Sequence, residues 1–194
     1  MTESDRQRWD AKYALRDAPT EIVADDWLVE CATPLPAGRA LDLACGLGHN
    51  AIWLAEHGWT VDAVDISPVG LELADKRAKQ AHVSGIRWIE ADLDTFQPES
   101  AAYDLVLVFR FLDRRSIASV VQAALKPGGR LVYETFTTAQ LERDDDHIQN
   151  QNYVLYPGEL PEMFPGSETV VYREETLGDR TVARLLASQG EPDA

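Results

Sequence analysis

The chain has 194 residues, 45% hydrophobic and 26% charged, ordinary proportions for a soluble globular protein long enough for one full core. A formal net charge of −15 argues against a sequence-independent nucleic-acid surface and against docking on an anionic membrane, since both need clustered Lys and Arg. Two cysteines make no disulfide framework, no apolar run nears the roughly 20 residues of a membrane span, and the polar first ten residues are unlike a signal peptide; a cytoplasmic protein is expected.

Taken in order, Ser4-x-x-Gln7 reads as a capping box opening a helix to about residue 16. Trp9 and Tyr13 lie one turn apart and share a face, directed either onto the domain or over a ligand as a lid. A second helix carries Ala24, Trp27, Leu28 and Cys31 at i, i+3, i+4 and i+7, a core stripe, and 34–38 is a rigid connector. The next stretch, Ala40-Leu41-Asp42-Leu43-Ala44-Cys45-Gly46-Leu47-Gly48-His49-Asn50, opens as a buried strand and breaks at two glycines. It then becomes an apolar-periodic helix over 50–57 that stops at Gly58.

Residues 59–65 form a second strand ending on Asp65, and Ser67-Pro68 caps a helix to about residue 82. Strands follow at 86–90 and 103–108, then a helix at 116–125. Lys126-Pro127-Gly128-Gly129 is a type II turn into a strand at 130–135. Residues 137–152 are polar and acidic, and Pro157 is placed to start a short helix. Segments 168–174 and 181–188 read as a closing hairpin. Strand and helix alternate through residue 135, which calls for a doubly wound parallel sheet covered on both faces.

Gly46 and Gly48 suit a close approach of backbone to a ligand. Gly46-x-Gly48-x-x-Ala51, with Asp65 19 residues after Gly46, fits a dinucleotide fingerprint and so an NAD-binding oxidoreductase. Asp42 points elsewhere. A carboxylate inside an apolar strand costs several kcal/mol unless it is partnered, and a cationic ligand would partner it.

Asp42-x-Ala44-x-Gly46-x-Gly48 resembles motif I of the class I S-adenosylmethionine-dependent methyltransferases, with Ala44 in place of the first glycine. The resemblance implies a Rossmann-like, seven-stranded, mostly parallel sheet with an antiparallel strand inserted by the last hairpin. It divides one domain into an N-terminal helical cap (1–33), a cofactor-binding core (38–135) and a substrate-side loop with hairpin (136–194). It also implies S-adenosyl-L-methionine as cofactor. Asp65 then meets the ribose hydroxyls and Asp92 the adenine amine, with Ile66 and Leu93 sandwiching the base. Backbone carbonyls near Ala44 and Phe109, with Asp42, hold the methionyl ammonium.

More detailed likeness, in 42–50, 125–130 and Asn152-Tyr153-Val154-Leu155-Tyr156-Pro157-Gly158-Glu159-Leu160, is to small bacterial tellurite-resistance-type methyltransferases. None of Lys12, Lys76, Lys79 and Lys126 lies four residues after a tyrosine, so the short-chain reductase pair is absent. The fourth strand lacks the Asn/Asp-Pro-Pro-aromatic sequence of many amino-directed nucleic-acid methyltransferases. The expectation is methyl transfer to a small acceptor (a thiol, chalcogen oxyanion or other soft anion) by a monomer or homodimer, with no nucleic acid and no membrane. A cofactor-binding module without turnover is the competing class. Arg110 is the cation near the expected acceptor, or else one half of a surface ion pair; His147 is a base or substrate contact, or else a solvated loop residue. Asp144-Asp145-Asp146-His147 has no second ligand cluster, so no metal is expected.

Overall fold

Nearly continuous apolar runs build the centre of a seven-stranded sheet of order β3-β2-β1-β4-β5-β7-β6. The structure is a computed structural model and describes residues 3–15, 23–143, 148, 150–178 and 180–190. The strands are β1 (Arg39–Leu43), β2 (Thr60–Asp65), β3 (Ile86–Glu90), β4 (Tyr103–Phe109), β5 (Leu125–Phe136), β6 (Ser167–Thr176) and β7 (Thr181–Gln189). The first five pair in parallel, and β7 inserts antiparallel between β5 and β6. The helices are α1 (Glu3–Ala14), α2 (Asp26–Ala32), α3 (His49–Glu56), α4 (Pro68–Gln80), α5 (Ile117–Ala124) and α6 (Glu159–Glu162).

Period-two alternation splits the core between the faces. Leu41 and Leu43 of β1 pack with Ile117, Val121 and Ala124 of α5. Ala40 faces the other way, with Trp27 and Leu28 of α2 and Ala51 and Leu54 of α3. Asp42 shares that second face. The strand order reverses between β1 and β4, so a crevice opens there beyond the carboxyl ends of the strands, where open α/β sheets hold ligands.

Three local expectations change. α1 opens at Glu3, which puts Ser4 inside the first turn rather than at its cap. Lys126-Pro127-Gly128-Gly129 lies inside β5, as an irregularity that sets five residue steps, Leu125 to Arg130, against two on β4, Tyr103 to Leu105; Gly128 supplies the positive φ of 74° that the detour needs. Gly158, not Pro157, caps α6, in the left-handed region.

Gly48 is a packing glycine. An added Cβ would stand 2.5 Å from the Trp88 ring and 2.9 Å from the Ala74 Cβ, at a φ of +72° that side chains avoid. Gly48→Ala should therefore cost about 2 kcal/mol and lower the thermal midpoint by about 4–8 °C. An unchanged midpoint in a melt would show that α3 and α4 yield at this contact.

Candidate active site

Each expected cofactor residue sits at or near the carboxyl edge, and four carboxylates, Asp25, Asp42, Asp65 and Glu134, are buried there. Asp42 is 2% exposed on β1, and its Oδ2 has no hydrogen-bond partner. Burial pushes its carboxyl well above the ordinary range, as do the charges of Asp25 and Asp65; Arg110 and the Ala51 backbone N–H act against this. The acid thus partly caps α3 from beneath, since Gly48 at the cap brings no side-chain bond.

Asp65 ends β2 and accepts backbone N–H bonds from Gly46 at 2.8 Å and Ser67 at 2.9 Å. Burial still leaves its carboxyl raised, against the pull of those N–H groups. Ile66 and Asp92 line a cleft of about 270 Å³ with Ala91, Glu90 and, from α1, Glu3 and Arg6. Leu93 is 1% exposed within the core, so Ile66 is the apolar residue of the expected pair that faces the cleft. Ala44 takes a left-handed φ of 58°, the conformation glycine adopts without strain. Phe109 ends β4, buried against the α2–α3 side of the core.

α1 lies along the glycine turn. Tyr13 is buried, and its hydroxyl would be 2.9 Å from a Cβ on Gly46; its ring would be 2.9 Å from one on Gly70. Trp9 stacks on Tyr13 at 5.5 Å, and Asp10 accepts a hydrogen bond from the Ser67 hydroxyl.

Arg110 is held in a bidentate pair with Asp25, at 2.5 and 2.7 Å, and stands 3.8 Å from Glu134. It is neither an unpartnered acceptor-side cation nor a surface pair, because Asp25 is buried. Burial would raise the Asp25 carboxyl, but hydrogen bonds from His49 and Arg110 with the Arg110 charge outweigh it and hold it far below the ordinary range. His49 Nε2 lies 2.9 Å from Asp25, and Asn50 donates to the same carboxylate at 3.0 Å. Glu134 on β5 faces Arg184 on β7 in register at 2.7 Å, and Arg180 stands 3.3 Å from Glu134. His147 and Asp144-Asp145-Asp146 lie outside the described residues, among which no group of three or more His, Cys, Asp or Glu side chains could hold a metal.

Residues 40–129 match the family described as Methyltransferase domain. Within 40–129 the chain is thus like the class I S-adenosylmethionine-dependent methyltransferases. An uncharacterized methyltransferase of Mycobacterium tuberculosis is 33% identical over 127 residues, 63% of either chain. A 23S rRNA (uracil-C5)-methyltransferase of Shewanella piezotolerans is 32% identical over 145 residues, 73% of this chain and 32% of that protein. The chain thus spans less than two thirds of the length of these curated relatives. The fold matches N-methyltransferase NodS of Bradyrhizobium japonicum, solved with S-adenosyl-L-homocysteine, at a TM-score of 0.74 and 19% identity over 96% of this chain and 98% of that one.

The methyltransferase cofactor is S-adenosylmethionine, and this edge suits it. A buried acid with an unpartnered oxygen suits a cationic group, which would favour its charged form, and acids end successive strands. The ion-pair network escaped the sequence reading. Asp25 carried no assignment in the sequence, its partner Arg110 is 85 residues away, and His49 stands beside the glycine turn with no signal of its own. Glu134 and Arg184 carried a usable signal, being charges within apolar strands, as Asp42 is.

Because folding raises the Asp42 carboxyl, its charge costs stability that is absent in acid and grows as pH rises above the ordinary carboxylate range. Asp42→Asn should stabilise the ligand-free protein by about 1–3 kcal/mol at about pH 7 while weakening cofactor binding. The stability difference should shrink as pH falls toward about 4. Denaturant titrations across pH check this, and a variant less stable at neutral pH would contradict it.

Proposed function

We propose that the chain transfers a methyl group from S-adenosylmethionine to a small soft or anionic acceptor, a thiol or chalcogen oxyanion, and does so in the cytoplasm. The observation that supports this is that Asp42 of β1, Asp65 at the end of β2 and Asp92 after β3 stand at the carboxyl ends of neighbouring strands, with Asp65 bonded to the Gly46 turn and Asp92 in the adjoining cleft. The cofactor supplies a methyl carbon activated by positive sulfur. The chain's residues bind it and align the acceptor, which is where most of the acceleration of such a displacement arises. Asp65 accepts from the ribose hydroxyls, Asp92 from the adenine amine, and Ile66 packs on the base. Asp42 and backbone carbonyls near Ala44 and Phe109 face the ammonium. The division into cap (1–33), core (38–135) and substrate side (136–194) belongs to the same reading.

Support for a small acceptor comes from the charge of −15, which repels nucleic acid. The relative named for 23S rRNA supplies the competing class, and this chain spans 32% of it. Two free buried cysteines accord with a reducing compartment. A second reading, a cofactor-binding module without turnover, draws on the capture of Arg110 by Asp25, which removes the expected acceptor-side cation.

Labelled S-adenosylmethionine offered with panels of thiols, selenite, tellurite and total RNA separates the readings. Label moving to a small acceptor supports the proposal, and label moving to RNA contradicts it. Cofactor binding with no turnover favours the module. Asp65→Asn keeps an acceptor for a backbone N–H but loses the charge-assisted ribose bonds, so S-adenosylhomocysteine affinity should fall at least tenfold, from about 1.5–3 kcal/mol per bond. Unchanged affinity in a titration would remove the ribose assignment.

A further inference from the structure

His49 and Asp25 stand at the same β1–β4 reversal and form no part of the cofactor cradle proposed above. His49 is the first residue of α3, directly after the glycine turn, and its side chain is 29% exposed while that of Asp25 is 8% exposed. Asp25 is fixed from several sides. Arg110 takes both oxygens, Asn50 donates to Oδ2 at 3.0 Å, and the Asp25 backbone N–H donates to Asn50 Oδ1 at 3.0 Å. The imidazole bonded to this carboxylate therefore has a fixed orientation.

Two groups approach His49 Nε2: Asp25 Oδ2 at 2.9 Å and an Arg110 nitrogen at 3.0 Å. A lone pair on Nε2 could accept from the Arg110 N–H at 3.0 Å but would face the lone pairs of the Asp25 carboxylate at 2.9 Å. A proton there instead makes a charge-assisted bond, with Arg110 and His49 both donating to Oδ2. That leaves the lone pair on Nδ1, which has no hydrogen-bond partner among the described residues. The charged groups around the pair are Asp42 on β1, Arg110 after β4, Glu134 on β5 and Arg180 before β7, so the imidazolium would form in a site of mixed charge rather than beside a lone cation.

We propose that His49 is the general base of methyl transfer and that Asp25 is its positioning residue. A buried carboxylate on one imidazole nitrogen, with the other nitrogen bare, is how a base is oriented. The acceptor X–H proton passes to His49 Nδ1 while the lone pair on X bonds to the methyl carbon. The S–CH3 bond breaks with its electron pair remaining on sulfur. This rests on the methyl-transfer reading and narrows it: the acceptor is a thiol, hydroxyl or amine that gives up a proton, rather than an anion already ionised.

The test uses His49→Gln in the full chain, whose amide can reach Asp25 in place of Nε2–H but cannot act as a base. Side-chain ¹⁵N NMR with S-adenosylhomocysteine bound, the signal assigned by its loss in the variant, needs no acceptor. A proton on Nε2 and none on Nδ1 is expected, and the opposite tautomer overturns the proposal. With phenol and aniline as probes, the variant should keep the wild-type S-adenosylhomocysteine affinity. It should lose about 100-fold or more in kcat, together with the acid-side fall of the wild-type pH profile. A variant that keeps both the rate and the acid-side fall overturns the proposal. A wild type that methylates none of the probes counts against the methyl-transfer reading, and the tautomer then decides the histidine assignment by itself.

Discussion

Three of the carboxylates buried at the carboxyl edge of this sheet, Asp25, Asp42 and Asp65, form the constraint that the edge is built around. Each is accommodated by a different means. Asp25 keeps its charge because a bidentate Arg110 and a histidine surround it. Asp65 is met by backbone N–H groups of the glycine turn and of the start of α4. Asp42 has one backbone donor and an oxygen with no partner, so in the free protein it is driven toward its neutral form. Breaking a buried pair such as Asp25–Arg110 costs about 3–5 kcal/mol, which makes that pair a fixed strut rather than an adaptable contact. The stability lost at Asp42 is of the kind that ligand binding can restore.

The same edge explains why α1 and α2 belong with the site although they precede the sheet. Asp25 and Asp26 open α2 and reach Arg110, Arg180 and Arg184, which ties the amino-terminal segment to β4 and β7. α1 covers the glycine turn through Tyr13 and supplies Glu3 and Arg6 to the cleft that holds Asp92. The opposite edge carries a different network, with Asp62 bonded to Arg39, Arg87 and Tyr103 near the amino ends of β1 to β4. That network lies at the amino ends of the strands, away from the carboxyl ends where open α/β sheets hold ligands, and it ties β1, β2, β3 and β4 together.

Most of the fold was legible because its signals are local. The apolar run of β1, the glycine turn and the Ser67-Pro68 cap each specify their own conformation within a few residues, and Ser67 indeed accepts from the Gly70 N–H. The site was legible where residues share a motif, as Asp42, Gly46 and Asp65 do. It was not legible where partners lie far apart. Nothing near Arg110 in sequence announces Asp25, and nothing near His49 distinguishes a turn residue from half of a carboxylate–imidazole pair. Gly48 carries a related ambiguity: a glycine needed against Trp88 and Ala74 looks in sequence like one needed against a ligand.

The most direct measurement is calorimetric titration of the purified chain with S-adenosylhomocysteine and, in parallel, with NAD. Everything said of the crevice predicts binding of the first on the order of micromolar and none of the second. NAD binding without S-adenosylhomocysteine binding would contradict it and return Gly46-x-Gly48-x-x-Ala51 to a dinucleotide reading.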